Sequence, residues 1–216
     1  LSGHAVAGFR LLEEYGLLAQ LFPETAQALA TNKSGALRRM LLQGLANTDA
    51  RVAAGDPVSP AFLYAVLLWP AYCRTLAMLQ AQGMHPVEAQ RRAADRATLH
   101  QVGRTALPRR FSLPMQEIWL MQARFSQRKR VLRLLSHPRF RAAFDFLELR
   151  LTASDAHADD VAYWREAQLR PASASADAGV TSDDLAEFDG DGDGAQGDAD
   201  APRKRRRRRR RKGGGA

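Results

Sequence analysis

The 216-residue chain contains one cysteine, Cys73, which excludes an intrachain disulfide and suits a reducing, cytoplasmic compartment. It lacks the run of ~20 apolar residues that a membrane span needs. The longest, AFLYAVLLWPAYC at 61–73, is ended by Arg74, so a soluble protein with no membrane partner is expected. Its five histidines show neither zinc-ligand spacing nor a nucleophile partner, and no metal ligand is assigned. No segment alternates with period two, which excludes a sheet and any glycine-rich phosphate loop that follows a strand. Paired carboxylates are missing from the helical part too. Asp159 and Asp160 are adjacent, so on a helix they point apart and cannot fix two metals ~3.5–4 Å from one another. No catalytic residue is assigned. The chain opens at Leu1 on a helical pattern rather than a charged-then-apolar leader, and reads as a piece of a longer protein.

What is present is helix. Hydrophobic residues make up 45%, enough for a core, and their spacing predicts an all-α, multi-helix bundle over residues 1–170. Ala5, Phe9 and Leu12 form a first stripe, and Gly16 suits the position just past a helix end. LLAQLFP reads as an apolar link that Pro23 stops. Leu37, Met40, Leu41 and Leu45 form a second stripe. Ser59 and Pro60 suit the N-cap and first position of a third helix, apolar all round and so central, which Pro70 should kink or end. A helix from Pro86 has few large apolar residues and is expected on the surface. Ile118, Met121 and Phe125 form one later stripe; Phe140, Phe144, Leu147 and Leu151, opened at Pro138, form another. A short helix from Asp159 closes the series. Composition then turns to Ala, Ser, Asp and Gly, which predicts a disordered acidic linker over 171–202 and an arginine-rich tail over 203–216.

The formal net charge of +9 is unevenly placed. Residues 177–202 hold acids and no base. Arg203, Lys204, Arg205, Arg206, Arg207, Arg208, Arg209, Arg210, Arg211 and Lys212 then follow without interruption. The part before them is basic as well, which points to phosphate-bearing partners. Its bases crowd at Arg104, Arg109, Arg110, Arg124, Arg128, Lys129, Arg130, Arg133, Arg139 and Arg141, with Glu117 the acid among them. Arg141 suits a surface pair with Asp145 at i,i+4; the rest are read as an RNA-facing stripe. Phe111, Trp119 and Phe125 between them are either core, the commoner case, or platforms for base stacking. The terminal run suits a nuclear localisation signal, a membrane-surface anchor or a nucleic-acid arm, and the basic body favours the last. DGDGDGAQGDAD mimics a calcium loop through Asp189, Asp191, Asp193, Gly194 and Asp200. Gln196 stands in its hydrophobic position, however, and Ala201–Pro202 replaces the following helix, so a solvated acidic spacer is expected.

GFRLLEEYGLLAQLFP (8–23), NTDARV (47–52), PAFLYAVLLWP (60–70), LPRRFSLPMQEIWLMQARFS (107–126) and LLSHPRFRAAFDFLELR (134–150), in this order, resemble the C-terminal part of bacterial poly(A) polymerases. That family shares a superfamily with the CCA-adding tRNA nucleotidyltransferases. The resemblance implies ATP-dependent, template-independent addition of adenosines to RNA 3′ ends, in mRNA processing and turnover. In the family a head carries a Gly-Ser motif and a metal-binding Asp-x-Asp pair, and an arginine-bearing neck recognises ATP. Neither motif occurs in the part read as folded. No cofactor is therefore expected for this chain itself, ATP and Mg²⁺ belonging to the full-length enzyme, and the chain alone is expected to be inactive. The implied role is RNA binding through Arg109, Arg110, Arg124, Arg128, Lys129, Arg130, Arg133, Arg139 and the terminal bases. The alternative is a non-enzymatic module that docks an RNA helicase or an RNA-degradation protein.

Overall fold

Ten α-helices follow one another in the computed structural model, which describes residues 2–169: α1 (Ala5–Glu14), α2 (Leu17–Leu21), α3 (Pro23–Thr31), α4 (Ala36–Ala53), α5 (Pro60–Ala81), α6 (Pro86–Val102), α7 (Arg109–Gln127), α8 (Val131–Leu135), α9 (Phe140–Arg150) and α10 (Ala158–Leu169), with a 3₁₀ turn at Asp155–His157 before the last. No strand occurs among the described residues. The linker at 171–202 and the tail at 203–216 lie outside them.

Gly16 adopts φ 68° just past α1, the left-handed conformation that lets the chain turn into α2 without a Cβ clash. LLAQL is helical rather than a plain link. Pro23 ends it and also begins α3 as its first residue, where a missing N–H costs nothing. Ser59 caps α5, its hydroxyl accepting from the Ala61 N–H at 3.3 Å. Contrary to expectation, α5 runs through Pro70 to Ala81. Outside donors reach the carbonyls on either side of Val66, whose own partner the proline removes. Thr25 on α3 donates its hydroxyl to the Leu67 carbonyl at 2.5 Å, and Trp119 on α7 donates Nε1 to the Ala65 carbonyl at 3.0 Å. Side chains thus hold the turn that proline would otherwise break.

Among the described residues α5 is the one helix long and apolar enough to cross a membrane, 22 residues at a mean hydropathy of 1.4. Here α3, α4, α6, α7 and α9 pack around it, and Arg74 in its second half pairs with Glu24. The surface helix expected from Pro86 is half right. α6 presents a polar outer face, yet Ala89, Ala93, Ala94 and Ala97 are buried, and these small side chains let it lie close against α5.

Two apolar clusters result. The first surrounds α5 and takes in Phe9, Leu41, Leu45, Trp119 and Phe146; the second joins Met121, Phe125, Leu134, Phe140, Phe144, Leu147, Val161 and Trp164 from α7 to α10. The stripes expected on α7 and α9 therefore form, and α9 is buried on two sides. Gly44 on α4 marks a close helix approach. A Cβ there would stand 2.8 Å from Leu149 Cδ2 and 3.0 Å from Val66 Cγ1.

Candidate nucleic-acid interface

Six of the bases picked from the sequence fall within residues 124–139, a stretch with no Asp or Glu. It runs from the last turn of α7 through α8 to the start of α9. Arg124 lies two turns beyond Glu117 on the exposed side of α7, and Arg139, at the N-cap of α9, sets Nε 3.2 Å from Glu117 Oε2. His137 stands among them. Burial holds its pKa below the ordinary value, and the charges of Arg124 and Arg139 push the same way against Glu117. The imidazole is therefore neutral at pH 7, with two guanidiniums and one carboxylate around it.

The turn between α7 and α8 is unusual. Arg128 and Arg130 both adopt φ 51°, a left-handed conformation that costs a non-glycine residue about 1–2 kcal/mol. Two contacts hold Arg128 there. Its Nη2 donates to Asp160 Oδ1 at 3.3 Å, and its guanidinium carbon lies 5.0 Å from the Tyr163 ring centroid. Asp160 is only 9% exposed and also accepts from Ser126 Oγ at 2.8 Å. Lys129 and Arg130 are exposed at the turn itself, and Arg133 is half-buried on α8. Arg109 and Arg110 are not part of this cluster. They occupy the first turn of α7, about 20 Å from Arg124 at 1.5 Å per helical residue. The sequence-based stripe is thus two groups, one at each end of the helix. Arg203 to Lys212 lie outside the described residues, as does the calcium-loop mimic.

Stacking on Trp119 and Phe125 is ruled out by burial: both are 0% exposed. Trp119 stacks on Tyr72 at 5.0 Å, and Phe125 meets Trp164 edge-on at 5.4 Å. Phe111 is half-buried with the Arg110 guanidinium 4.9 Å from its ring centroid. Arg141 pairs with Asp145 at 2.9 Å, as its spacing indicated. Asp159 is exposed and Asp160 buried, pointing apart. Among the described residues no group of three or more His, Cys, Asp or Glu side chains is placed to hold a metal. Cys73 is half-exposed by surface area, yet its thiol is pushed up to about 12 by burial, so it stays protonated and a poor nucleophile.

Arg150 had no sequence signal. It lies between the two clusters with its guanidinium 5.1 Å from the Trp69 ring centroid, donating to Gln122 Oε1 at 3.3 Å and contacting His157 Nε2. Because arginine can only donate, that nitrogen must accept, which leaves the His157 proton on Nδ1, 3.6 Å from Asp160 Oδ2.

Two family models match. Residues 82–212 match "Polymerase A arginine-rich C-terminus", and residues 1–29 match "Probable RNA and SrmB-binding site of polymerase A". The chain belongs to the polymerase A family. It is 35% identical over 152 residues to poly(A) polymerase I of Salmonella typhi, covering 69% of this chain and 33% of that protein. With poly(A) polymerase I of Haemophilus influenzae it shares 30% over 166 residues, covering 76% and 37%. The chain spans about a third of the length of the curated relatives it matches. Within this polymerase A region, every base picked from the sequence for RNA binding falls inside the arginine-rich match. The match at 1–29 covers α1, α2 and most of α3. Arg10 is its only Lys or Arg, and it exposes Leu11, Tyr15 and Leu17 by 51%, 68% and 40%.

Proposed function

We propose that this polymerase A region binds RNA by its phosphates along the face formed by Arg124, Lys129, Arg130, Arg133 and Arg139. Bound there, an RNA 3′ end is positioned for ATP-dependent, template-independent adenosine addition by a catalytic head in the cytoplasm. The observation that carries the reading is the acid-free basic stretch 124–139, gathered at one end of α7 by the strained turn. Phosphate contacts need clustered cations on a fixed surface and no particular base. Arg203 to Lys212 supply a second, sequence-independent contact that raises the local RNA concentration. ATP and Mg²⁺ act at the head, and no residue described here is assigned to them.

Photocrosslinking of a 4-thiouridine-substituted RNA to the full chain tests this reading. Crosslinks should map to the peptides that span 124–139 and the terminal bases. Crosslinks confined to residues 1–29 would overturn it. The second reading, a module that docks an RNA helicase or a degradation protein, is favoured at one place: the exposed Leu11, Tyr15 and Leu17 at the α1–α2 elbow. That segment is apolar and nearly free of bases, which suits a protein surface better than RNA.

A further inference from the structure

The far end of the α6–α7 hairpin carries features that RNA binding at 124–139 does not use. Leu99, Val102 and Leu113 are 71%, 49% and 47% exposed. The two helices are joined by a short loop and tied side by side by Gln116, whose Nε2 donates to Thr98 Oγ1 at 2.9 Å and to Asp95 Oδ1 at 3.3 Å. Val102 lies one turn beyond Thr98 and Leu113 one turn before Gln116. The neighbouring, oppositely directed helices therefore bring these residues together, with Leu99 on the outer flank.

Arginines rim this patch. Arg104 follows Val102 by two residues, while Arg109 and Arg110 precede Leu113 by one turn, and all three are exposed. Arg109 and Arg110 occupy the first turn of α7, which holds no acid, at the positive end of the helix dipole where cations are disfavoured. Asp95, engaged by Gln116, and Glu117, paired with Arg139, are the nearby carboxylates. The loop beneath is pinned. Leu107 is buried, Tyr64 Oη donates to the Ala106 carbonyl at 3.4 Å, and Gln101 Nε2 donates to Thr105 Oγ1 and the Leu21 carbonyl, each at 2.8 Å. A preformed surface of this kind binds without first paying to order itself.

We propose that this end of the hairpin docks an acidic amphipathic helix of a partner protein. Aliphatic side chains one turn apart cover Leu99, Val102 and Leu113, and flanking Asp or Glu residues meet Arg104, Arg109 and Arg110. RNA fits the surface less well. A phosphate chain would leave the aliphatic centre bare, and the ring among these residues, Phe111, is half-buried with the Arg110 guanidinium over it rather than open to stack a base.

The test uses the full chain and a labelled peptide of about 16 residues, ~24 Å long as a helix, made of Glu with leucines along one face. A second peptide has the same composition with its leucines spread around the helix. The terminal arginines attract both equally, so the difference between them reports the apolar patch. Anisotropy at about 150 mM salt should show the first peptide binding roughly tenfold tighter. Leu113→Asp should remove that difference and change RNA affinity less than about twofold. If that variant melts early, Leu99→Ser, at the most exposed of the three positions, serves instead. Equal binding of the two peptides, or indifference to both substitutions, overturns the proposal. So does an RNA affinity that falls as far as the peptide affinity, which would make the surface an RNA contact.

Discussion

The two apolar clusters share α7 and α9 but are packed by different means. Around α5 the contacts toward α4 and α6 are made by small side chains: Ala61, Ala65 and Ala71 on α5, the alanine face of α6, and Gly44 on α4. Trp69, Tyr72, Trp119 and Phe146 pack as rings toward α7 and α9. Helix backbones come close on the α4 and α6 side, and little side-chain volume is left to remove there. From α7 to α10 the contacts are rings. Phe125 and Phe140 stand 5.9 Å apart, Phe140 and Phe144 stack at 5.9 Å, and Trp164 joins them while donating Nε1 to the Phe125 carbonyl at 2.8 Å. The α4 and α6 side of the first cluster should be most sensitive to enlargement, and the second cluster to truncation. The aromatic cluster also supports the basic surface, because Ser126, Arg128, Asp160 and Tyr163 are tied to its edge.

The comparison breaks most readily at Phe144, 2% exposed. Phe144→Ala should cost ~3–5 kcal/mol, measured by urea denaturation. A variant as stable as wild type that loses RNA affinity would show the ring to face ligand instead. Enlargement of the other cluster should cost less. Gly44→Ala forces a Cβ against Leu149 and Val66, an overpacking worth ~1–3 kcal/mol, with RNA affinity unchanged in anisotropy measurements. An unaltered midpoint would mean that α4 moves away freely. Smaller again is the pair Arg128→Ala and Arg128→Gly. Both lose the Asp160 contact, but glycine accepts φ 51° without strain, so it should be the more stable of the two by about 1–2 kcal/mol. Equal stabilities would show that the turn does not keep its left-handed form.

A pH scan should give the smallest change. His137 and His157 both have depressed pKa values, burial being the first cause. The unfolded chain then takes up its protons near ~6.5 while the folded chain resists them. Their contribution is fully present above that pH and is lost as pH falls through ~6.5 toward the folded-state values. Melting temperature should drop between about pH 7 and pH 5, less steeply once both histidines are replaced by glutamine. An unchanged slope in the double variant would assign the drop to other groups.

Legibility followed the size of the signal. Ser59–Pro60, Gly16 and the stripes on α7 and α9 are local patterns with one physical meaning each, and they stand where the sequence indicates. α2 and α8 are five residues long, too short for a 3.6-residue period to repeat. The close packing of α6 was hidden because alanines count for little in a search for large apolar residues. Pro70 misled because its compensation, Thr25 and Trp119, comes from remote helices. At the candidate interface the crowding of bases was plain, but its division into two groups was not, since one helix separates them by its length alone. Nothing marked the turn at Arg128 and Arg130 either, for the usual glycine is absent, and the carboxylate that holds it sits 32 residues away.

The central claim is that RNA lies on the basic face beside the aromatic cluster and not on the α5 side. The most direct test compares two triple variants of the full chain that lose equal charge, Arg124, Lys129 and Arg133 to Ala against Arg10, Lys33 and Arg39 to Ala. Affinity for a labelled single-stranded RNA is measured by anisotropy across a salt series. Three phosphate contacts at ~0.7 each should flatten the slope of log K against log[salt] by about 2 in the first variant. The second should flatten it by less than about 0.5. Equal flattening in both, or a larger loss in the second, would contradict the claim.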